Sequence, residues 1–142
     1  MPDEFLRKRL AAIYAAYEKG DLDAVLAAFT EDADFISYAP VDVFPYLGHR
    51  AGRVAIADTL TAIRSEFDFV SYKPTFMVTE GESAAAIIEI RLKQRATGRI
   101  INARLGHFMR FRQGRIFEFR EFTDSFDAVQ QVLGHEIALP RR

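Results

Sequence analysis

Two polar residues, His107 and Glu121, interrupt the apolar faces of the last two predicted strands. In the segment 102–112, apolar residues at odd positions alternate with Asn or Arg at most even positions, and His107 falls in the apolar set. In the next strand Phe117 and Phe119 share a face, and Glu121 continues it. An imidazole and a carboxylate on one interior face are suited to moving protons in a general acid–base reaction. The pattern therefore makes this pair the leading candidate for catalysis.

The turn between these strands decides whether the two side chains meet. Gln113 and Gly114 mark the turn, and the two odd-numbered faces coincide only if the loop holds an odd number of residues. This favours a three-residue loop with Gly114 in the left-handed conformation, which makes His107 and Glu121 opposite or diagonal neighbours. A two-residue loop would place them on opposite faces.

Length and charge exclude several classes of protein. A chain of 142 residues is expected to form one domain, spanning 1–142, with room for a pocket in its core. A net charge of −1 and a pI near 6.3 argue against nucleic-acid binding. The absence of cysteine excludes disulfides and thiol chemistry.

Neither a membrane nor a metal is expected as a partner. The sequence has no apolar run long enough to span a membrane and no secretion signal at its start, so a cytoplasmic protein is predicted. Its three histidines lack the spacing of metal ligands, and we predict no metal. Thirteen Phe residues fit either a packed core or an aromatic-lined cavity, and composition does not separate these alternatives.

Helical periodicity dominates the first half of the chain and strand alternation the second. The predicted helices are a first one ending near Lys19, a short one over 22–29, one over 52–67 and a closing one over 126–133. The predicted strands are 34–38, 69–79, 83–95, 99–112 and 115–123. This order predicts an α+β fold in which about three helices cover one face of a bent antiparallel sheet.

The opposite face of the sheet is predicted to be charged. It is either a solvated surface or a polar dimer interface, and the sequence favours neither. The charged residues are Glu89, Arg91, Lys93, Arg104, Arg110, Glu118 and Arg120.

Three segments resemble a known superfamily. They are GDLDAVLAAFTEDADF, GHRAGRVAI and HFMRFRQGRIFEFREFTDSF, and together with a tyrosine-bearing first helix they resemble the SnoaL-like and ketosteroid isomerase-like branch of the nuclear transport factor 2-like superfamily. The resemblance implies a cone-shaped, cystatin-like α+β fold with a deep apolar pocket, usually in a homodimer. This fold hosts isomerases, cyclases, hydrolases, dehydratases and noncatalytic proteins, so it does not by itself fix a function.

The last hairpin carries the most specific part of the resemblance. SnoaL-type polyketide cyclases have His-x-Met-Arg, then Gly-Lys-Ile, then Arg-Asp-Trp, and the segments 107–110, 114–116 and 120–122 match these without a gap. The resemblance implies that His107 and Glu121 line the pocket as ligand-binding and acid–base residues. Glu121 replaces an aspartate and therefore carries its carboxylate about one bond further from the backbone.

Two related activities are disfavoured by the same comparison. The catalytic aspartate of ketosteroid isomerase would fall near Ser37, so the base is missing. The arginine and first aspartate of limonene epoxide hydrolase would fall near Ile88 and Ile90, which are apolar.

The remaining candidates are residues expected to bind substrate. Tyr14 and Tyr17 lie on the inward stripe of the first helix, where a phenol could donate to a developing oxyanion or simply pack in the core. Ser37 is either a pocket hydroxyl or an ordinary strand serine. The expected lining of the cavity consists of Ile13, Leu60, Leu105, Phe117 and Phe119.

These predictions lead to two hypotheses about function. The first is a cofactor-independent isomerase or cyclase that acts on a small apolar carbonyl compound. Glu121 would abstract the proton next to the carbonyl, while His107, with Tyr14 or Tyr17, holds the oxygen. The second is a noncatalytic domain that binds an apolar ligand or serves as a dimeric scaffold. The pKa of Glu121 separates them, because a base titrates near the working pH whereas a structural carboxylate locked to His107 stays ionised well below it.

Overall fold

The computed structural model describes residues 3–140, which form four helices and one six-stranded sheet. The helices are α1 (Asp3–Lys19), α2 (Leu22–Ala27), α3 (Arg53–Glu66) and α4 (Ser125–Leu133). The strands are β1 (Phe29–Tyr38), β2 (Gly48–Ala51), β3 (Phe67–Glu80), β4 (Ser83–Gln94), β5 (Ile100–Arg112) and β6 (Arg115–Thr123). The predicted α+β class is confirmed.

The sheet is mixed, whereas the sequence predicted an antiparallel one. The strand order is β2-β1-β6-β5-β4-β3, and β1 runs parallel to β6 while the other pairs are antiparallel. The four consecutive strands predicted over 69–123 do form an antiparallel meander, β3 to β6, and the parallel pair involves β1. The sequence also missed β2, because four residues reading GHRA show neither the length nor the alternation of a typical strand.

The inner face of the sheet is covered by α1, whose buried stripe follows helical spacing. Leu6, Leu10, Tyr14 and Tyr17 lie three or four residues apart and all belong to the main hydrophobic core. Gly20, with φ of +81°, follows the helix in a conformation that favours glycine. α1 thereby places Tyr14 next to His107 of β5 and Tyr17 against the aromatic rings of β3.

The hairpin between β5 and β6 has a two-residue turn, so the predicted three-residue loop is wrong. Arg112 pairs directly with Arg115, and the intervening Gln113 and Gly114 both have positive φ, at 51° and 75°. These are the angles of a type I′ turn, whose twist suits a tight hairpin.

A β-bulge compensates for the short turn. Phe111 pairs with Ile116 but Arg110 pairs with Glu118, so β6 contains one residue, Phe117, with no partner in β5. Beyond this bulge the odd-numbered faces coincide. His107 and Glu121 are therefore direct cross-strand partners. The sequence predicted that they face each other, but from a three-residue loop instead of a two-residue turn and a bulge.

The bulge removes Phe117 from the interior, and its predicted role in lining the cavity is wrong. The Phe117 ring lies under the Arg112 guanidinium, 4.6 Å from the carbon of that group to the ring centroid. Ile116 takes the buried position next to the bulge instead. The sequence pattern of alternating residues could not reveal this shift.

The outer face of the sheet carries an aromatic cluster beside the expected charges. Tyr38, Phe108 and Phe122 are 49%, 52% and 47% exposed, yet they touch one another. The Tyr38 and Phe122 rings stack at 4.6 Å, and Phe108 meets Phe122 edge-on at 5.7 Å. Among the charged residues, Arg104–Glu89 and Arg110–Glu118 form exposed ion pairs.

Of the helices in residues 3–140, none is long and apolar enough to cross a membrane.

Candidate functional site

A chain of three hydrogen bonds links four side chains on the inner face of the sheet. The Tyr14 hydroxyl lies 2.7 Å from His107 Nδ1, and His107 Nε2 lies 2.9 Å from Glu121 Oε2. The Ser37 hydroxyl donates to Glu121 Oε1 over 2.7 Å. The sequence-predicted pair is therefore in contact, and two further predicted residues join it.

Adjacent strands place three of these residues in one row. Ser37 of β1 pairs with Glu121 of β6, and Glu121 pairs with His107 of β5. Tyr14 comes from α1, which packs on β3, and its hydroxyl reaches the His107 end of the row. Strand pairing therefore fixes the spacing of Ser37, Glu121 and His107, while helix packing brings Tyr14 to them.

The hydrogen-bond pattern assigns the protons. An ionised carboxylate only accepts hydrogen bonds, so His107 Nε2 donates to Glu121, while Nδ1 hydrogen-bonds the Tyr14 hydroxyl. Burial raises the pKa of Tyr14, and the negative charge of Glu121 raises it further, so the phenol keeps its proton. His107 is 1% exposed and both of its ring nitrogens are engaged.

Glu121 is held in its ionised form. Burial alone raises the pKa of its carboxyl, but the hydrogen bond and charge of His107 and the hydrogen bond from Ser37 outweigh burial, and the pKa falls below its usual value of 4.5. The pKa of Glu121, which separates the two hypotheses, is thus shifted in the direction expected of a carboxylate locked to His107. Glu121 is therefore not a base whose pKa is raised towards neutrality.

The lowered pKa of Glu121 predicts a specific dependence of stability on pH. The ionised form is favoured by folding, so Glu121 stabilises the protein above the pKa of an unfolded glutamate, and this contribution is lost as the pH falls through the lower folded pKa. We expect the difference in unfolding free energy between the wild type and Glu121→Gln to be largest above about pH 5 and to shrink towards pH 3. Urea denaturation at both pH values measures it, and a difference that grows on acidification would contradict the assignment.

Two cavities meet at this site. The larger, which we call the α4 cavity, lies between α4, the 39–47 segment and the sheet, and has a volume of about 120 Å³. It is lined by residues including Phe44, Leu105 and Val132. The smaller, which we call the α1 cavity, lies beneath α1 and has a volume of about 60 Å³. Glu121, whose side chain is 15% exposed, borders both cavities.

Most predicted lining residues surround one cavity or the other. The α1 cavity is bordered by Ile13, Tyr14, Tyr17, Leu60, His107 and Phe119. Leu105 borders the α4 cavity instead. Ser37 is buried beside the Glu121 carboxylate. Two predicted substrate-binding residues, Ser37 and Phe117, border neither cavity.

Tyr72 is a site residue that the sequence analysis missed. It borders both cavities, and its ring meets that of Tyr17 edge-on at 4.8 Å. Two register shifts in β3, at Phe69/Ser71 and Pro74/Phe76, interrupt the alternation that would have assigned it to the inner face. A buried tyrosine in a strand next to charged neighbours was the available signal.

Arg64 lies behind the tyrosines as a buried cation. Its guanidinium carbon is 3.6 Å from the Phe69 ring centroid and 4.7 Å from that of Tyr17, and its Nε and Nη2 atoms make no hydrogen bond in the described part of the chain. Burial raises the pKa of Tyr17, and the charge of Arg64 opposes this shift. The interaction with the rings accounts for an otherwise unpaired charge.

The side chains around the two cavities are mainly apolar. No group of three or more His, Asp or Glu side chains in residues 3–140 is placed to bind a metal. The cavity walls are largely aromatic and aliphatic, with polar groups concentrated around Glu121.

Solved structures share this fold. A provisionally named isomerase from Rhodopseudomonas palustris is 27% identical, with a TM-score of 0.79, over 87% of this chain and 92% of that one. TerC, crystallised with polyporic acid, is 13% identical with a TM-score of 0.80 over 90% and 98% of the two chains. An epoxide hydrolase of M. tuberculosis, similar to limonene epoxide hydrolase, is 17% identical with a TM-score of 0.75 over 93% and 92%.

The sequence comparisons identify the family. No curated protein matches the chain. The family model of the SnoaL-like domain matches residues 10–119, which include Tyr14, Ser37 and His107 and end two residues before Glu121. This match covers most of the 142 residues, and the chain belongs to the SnoaL-like domain family.

Proposed function

We propose that this protein is a cofactor-independent isomerase or cyclase that removes a proton next to a carbonyl group of a small, largely apolar substrate. One observation carries the proposal: the ionised carboxylate of Glu121 borders two apolar cavities and is within reach of a ligand in either. A buried carboxylate has no need of such a position if its only role is to hold His107.

Glu121 is the base in this proposal. Each carboxylate oxygen accepts one hydrogen bond from the protein, which leaves lone pairs for a substrate proton. The carboxylate takes the proton from carbon, an enolate forms, and the carboxylic acid then returns the proton to another carbon or to oxygen. The lowered pKa of Glu121 makes it a weak base, so the substrate must have an unusually acidic C–H, as between two carbonyl groups.

The other polar residues have roles that differ from those proposed on sequence alone. Both ring nitrogens of His107 are engaged, so His107 positions Glu121 and does not hold the substrate oxygen. The Tyr14 hydroxyl is directed to His107. Tyr17, which borders both cavities beside the Arg64 cation, is the phenol best placed to donate to the enolate oxygen.

A noncatalytic ligand-binding domain is the second candidate. The lowered pKa of Glu121 favours it, because a weak base drives proton abstraction less strongly and both carboxylate oxygens already bind protein donors. In that case the same cavities would hold an apolar carbonyl compound unchanged.

Keto–enol interconversion of 1-phenyl-1,3-butanedione distinguishes the catalytic candidate from the noncatalytic ligand-binding candidate. It requires only removal of a proton from the central carbon and its return to oxygen, and the two forms differ in ultraviolet absorbance. We expect the wild-type protein to accelerate the interconversion above the buffer rate and Glu121→Gln to lose this acceleration. Equal rates for the two proteins, with the compound bound to both, would favour the noncatalytic candidate.

We also propose that the protein is a cytoplasmic homodimer and binds neither nucleic acid nor membrane. The exposed cluster of Tyr38, Phe108 and Phe122 is flanked by charges of both signs on the outer face of the sheet, a pattern typical of self-complementary interfaces.

Phe108→Arg is expected to disrupt this dimer. A charge within the aromatic cluster would be buried in the interface without a partner, so sedimentation at micromolar concentration should change from dimer to monomer. Phe5→Arg is the matched control, because Phe5 is 51% exposed on α1 and lies away from the outer sheet face. A wild-type protein that sediments as a monomer at high concentration would contradict the proposal.

A further inference from the structure

The two cavities share a narrow boundary. Within residues 3–140, four side chains border both cavities: Tyr17, Ile63, Tyr72 and Glu121. Glu121 carries the negative charge of this set. A ligand centred at the boundary therefore presents its middle to the carboxylate and extends an apolar arm into each cavity.

The two arms differ in permitted size. An engineered protein cavity of about 150 Å³ binds benzene, so the α4 cavity, at about 120 Å³, accommodates one planar ring after a small adjustment of its walls. The α1 cavity is half as large, at about 60 Å³. It has room for a short alkyl group, and a second ring would have to displace the core residues packed around it.

The difference in volume, and not the type of lining, decides this assignment. The α4 cavity contains the flat side chains Phe44, Tyr46 and Phe69, which suit the faces and edges of an aromatic ring. The α1 cavity is also lined by aromatic side chains, including Phe29 and Phe119, but these belong to the main core. They pack tightly and leave the smaller volume.

We propose that the substrate of this site is an unsymmetrical carbonyl compound with one aromatic ring and one short alkyl arm. The ring occupies the α4 cavity, the alkyl arm occupies the α1 cavity, and the acidic carbon between them lies at Glu121. The inference rests on the proposed function, since it names the class of substrate for that reaction. The chemical step is the same transfer of one proton from carbon to the carboxylate and back to the substrate.

A series of three diketones tests the two-arm arrangement on the wild-type protein. The compounds are 2,4-pentanedione, 1-phenyl-1,3-butanedione and 1,3-diphenyl-1,3-propanedione, with no ring, one ring and two rings, and calorimetry gives their Kd values. We expect the one-ring compound to bind about 10–100-fold more tightly than pentanedione, because its ring is transferred from water to an apolar cavity. The two-ring compound should bind at least about 10-fold more weakly than the one-ring compound, because its second ring exceeds the α1 cavity.

A substitution in the α4 cavity tests where the ring is bound. Ala103 borders this cavity, and Ala103→Leu fills part of it. We expect the one-ring diketone to lose about 10-fold or more in affinity while pentanedione changes by less than about 3-fold. Ala12→Leu, at an exposed position of α1, is the matched control and should leave the whole series unchanged. Melting temperatures establish that both variants are folded. The three Kd values measured on the wild-type protein test the two-arm arrangement independently of either variant.

The outcomes separate this inference from the proposed function. The expected order of Kd values without any acceleration of keto–enol interconversion would support the two-arm binding site and refute the proposed catalysis. Acceleration accompanied by equally tight binding of the one-ring and two-ring compounds would refute the two-arm arrangement and leave the catalysis in place. Failure of all three diketones to bind would overturn the inference.

Discussion

Replacing Glu121 by Gln should lower the rate of diketone interconversion by about 10²–10⁴-fold, the usual effect of losing a positioned general base. The Kd for the diketone should change by no more than a few-fold, because the amide keeps the shape of the side chain and the ground-state substrate does not require a carboxylate. The rate is measured by ultraviolet absorbance on the folded fraction of each protein.

The same substitution should reduce stability as well. Ser37 and His107 both donate to the charged form of Glu121, so the neutral amide is expected to cost about 1–3 kcal/mol of unfolding free energy. Ser37→Ala is the control for this effect, because it removes one of the two hydrogen bonds and keeps the carboxylate. We expect it to retain turnover within about 10-fold. Unchanged turnover of folded Glu121→Gln would remove Glu121 from the reaction.

The largest loss of stability is expected from His107→Leu. The substitution leaves the buried Glu121 carboxylate without its charge-assisted hydrogen bond and removes the imidazole partner of the Tyr14 hydroxyl. Removing one partner of a buried charged pair typically costs about 3–5 kcal/mol. Urea denaturation at pH 7 measures this loss.

Two variants show whether the loss comes from the carboxylate. Tyr14→Phe removes only the hydroxyl above the imidazole and should cost about 1 kcal/mol. His107→Gln restores a donor for Glu121 and should recover a substantial part of the stability lost in His107→Leu. If His107→Leu proved no more destabilising than Tyr14→Phe, the imidazole and the carboxylate would not form a coupled buried pair.

The pairing of His107 with Glu121 could be predicted because it depends on a residue count. Seven residues separate Arg110 from Glu118 whether the extra one lies in a three-residue turn or in a bulge. Either arrangement gives the same register beyond that point. The sequence therefore predicted the pairing of His107 with Glu121 correctly and the turn incorrectly. Phe117 was assigned to the wrong face because the extra residue lies in the bulge and not in the turn.

The contacts between distant elements could not be predicted in the same way. Ser37 meets Glu121 because β1 pairs in parallel with β6, a pairing between segments that are 84 residues apart. Tyr14 meets His107 because α1 packs on β3 and carries the Tyr14 side chain over to β5. Alternation and helical spacing indicate which face of an element is buried, but they do not indicate which other element covers it.

The pKa of Glu121 was likewise beyond the reach of the sequence. A carboxylate on an apolar face is expected to resist ionisation, and the sequence analysis accordingly considered a base poised by burial. The two hydrogen bonds from Ser37 and His107 reverse that expectation. The sign of the shift depends on partners that only the folded chain brings together.

The tyrosines around the two cavities also have a spectroscopic consequence. The chain contains five tyrosines and no tryptophan, and Tyr14, Tyr17, Tyr46 and Tyr72 border one cavity or both. Tyr38, on the outer sheet face, is the remaining one. Four of the five tyrosines that give the intrinsic ultraviolet emission therefore lie in the walls of the site, without tryptophan to mask them. The protein carries its own fluorescent reporter of cavity occupancy, and Tyr38→Phe would confine that signal to the cavities.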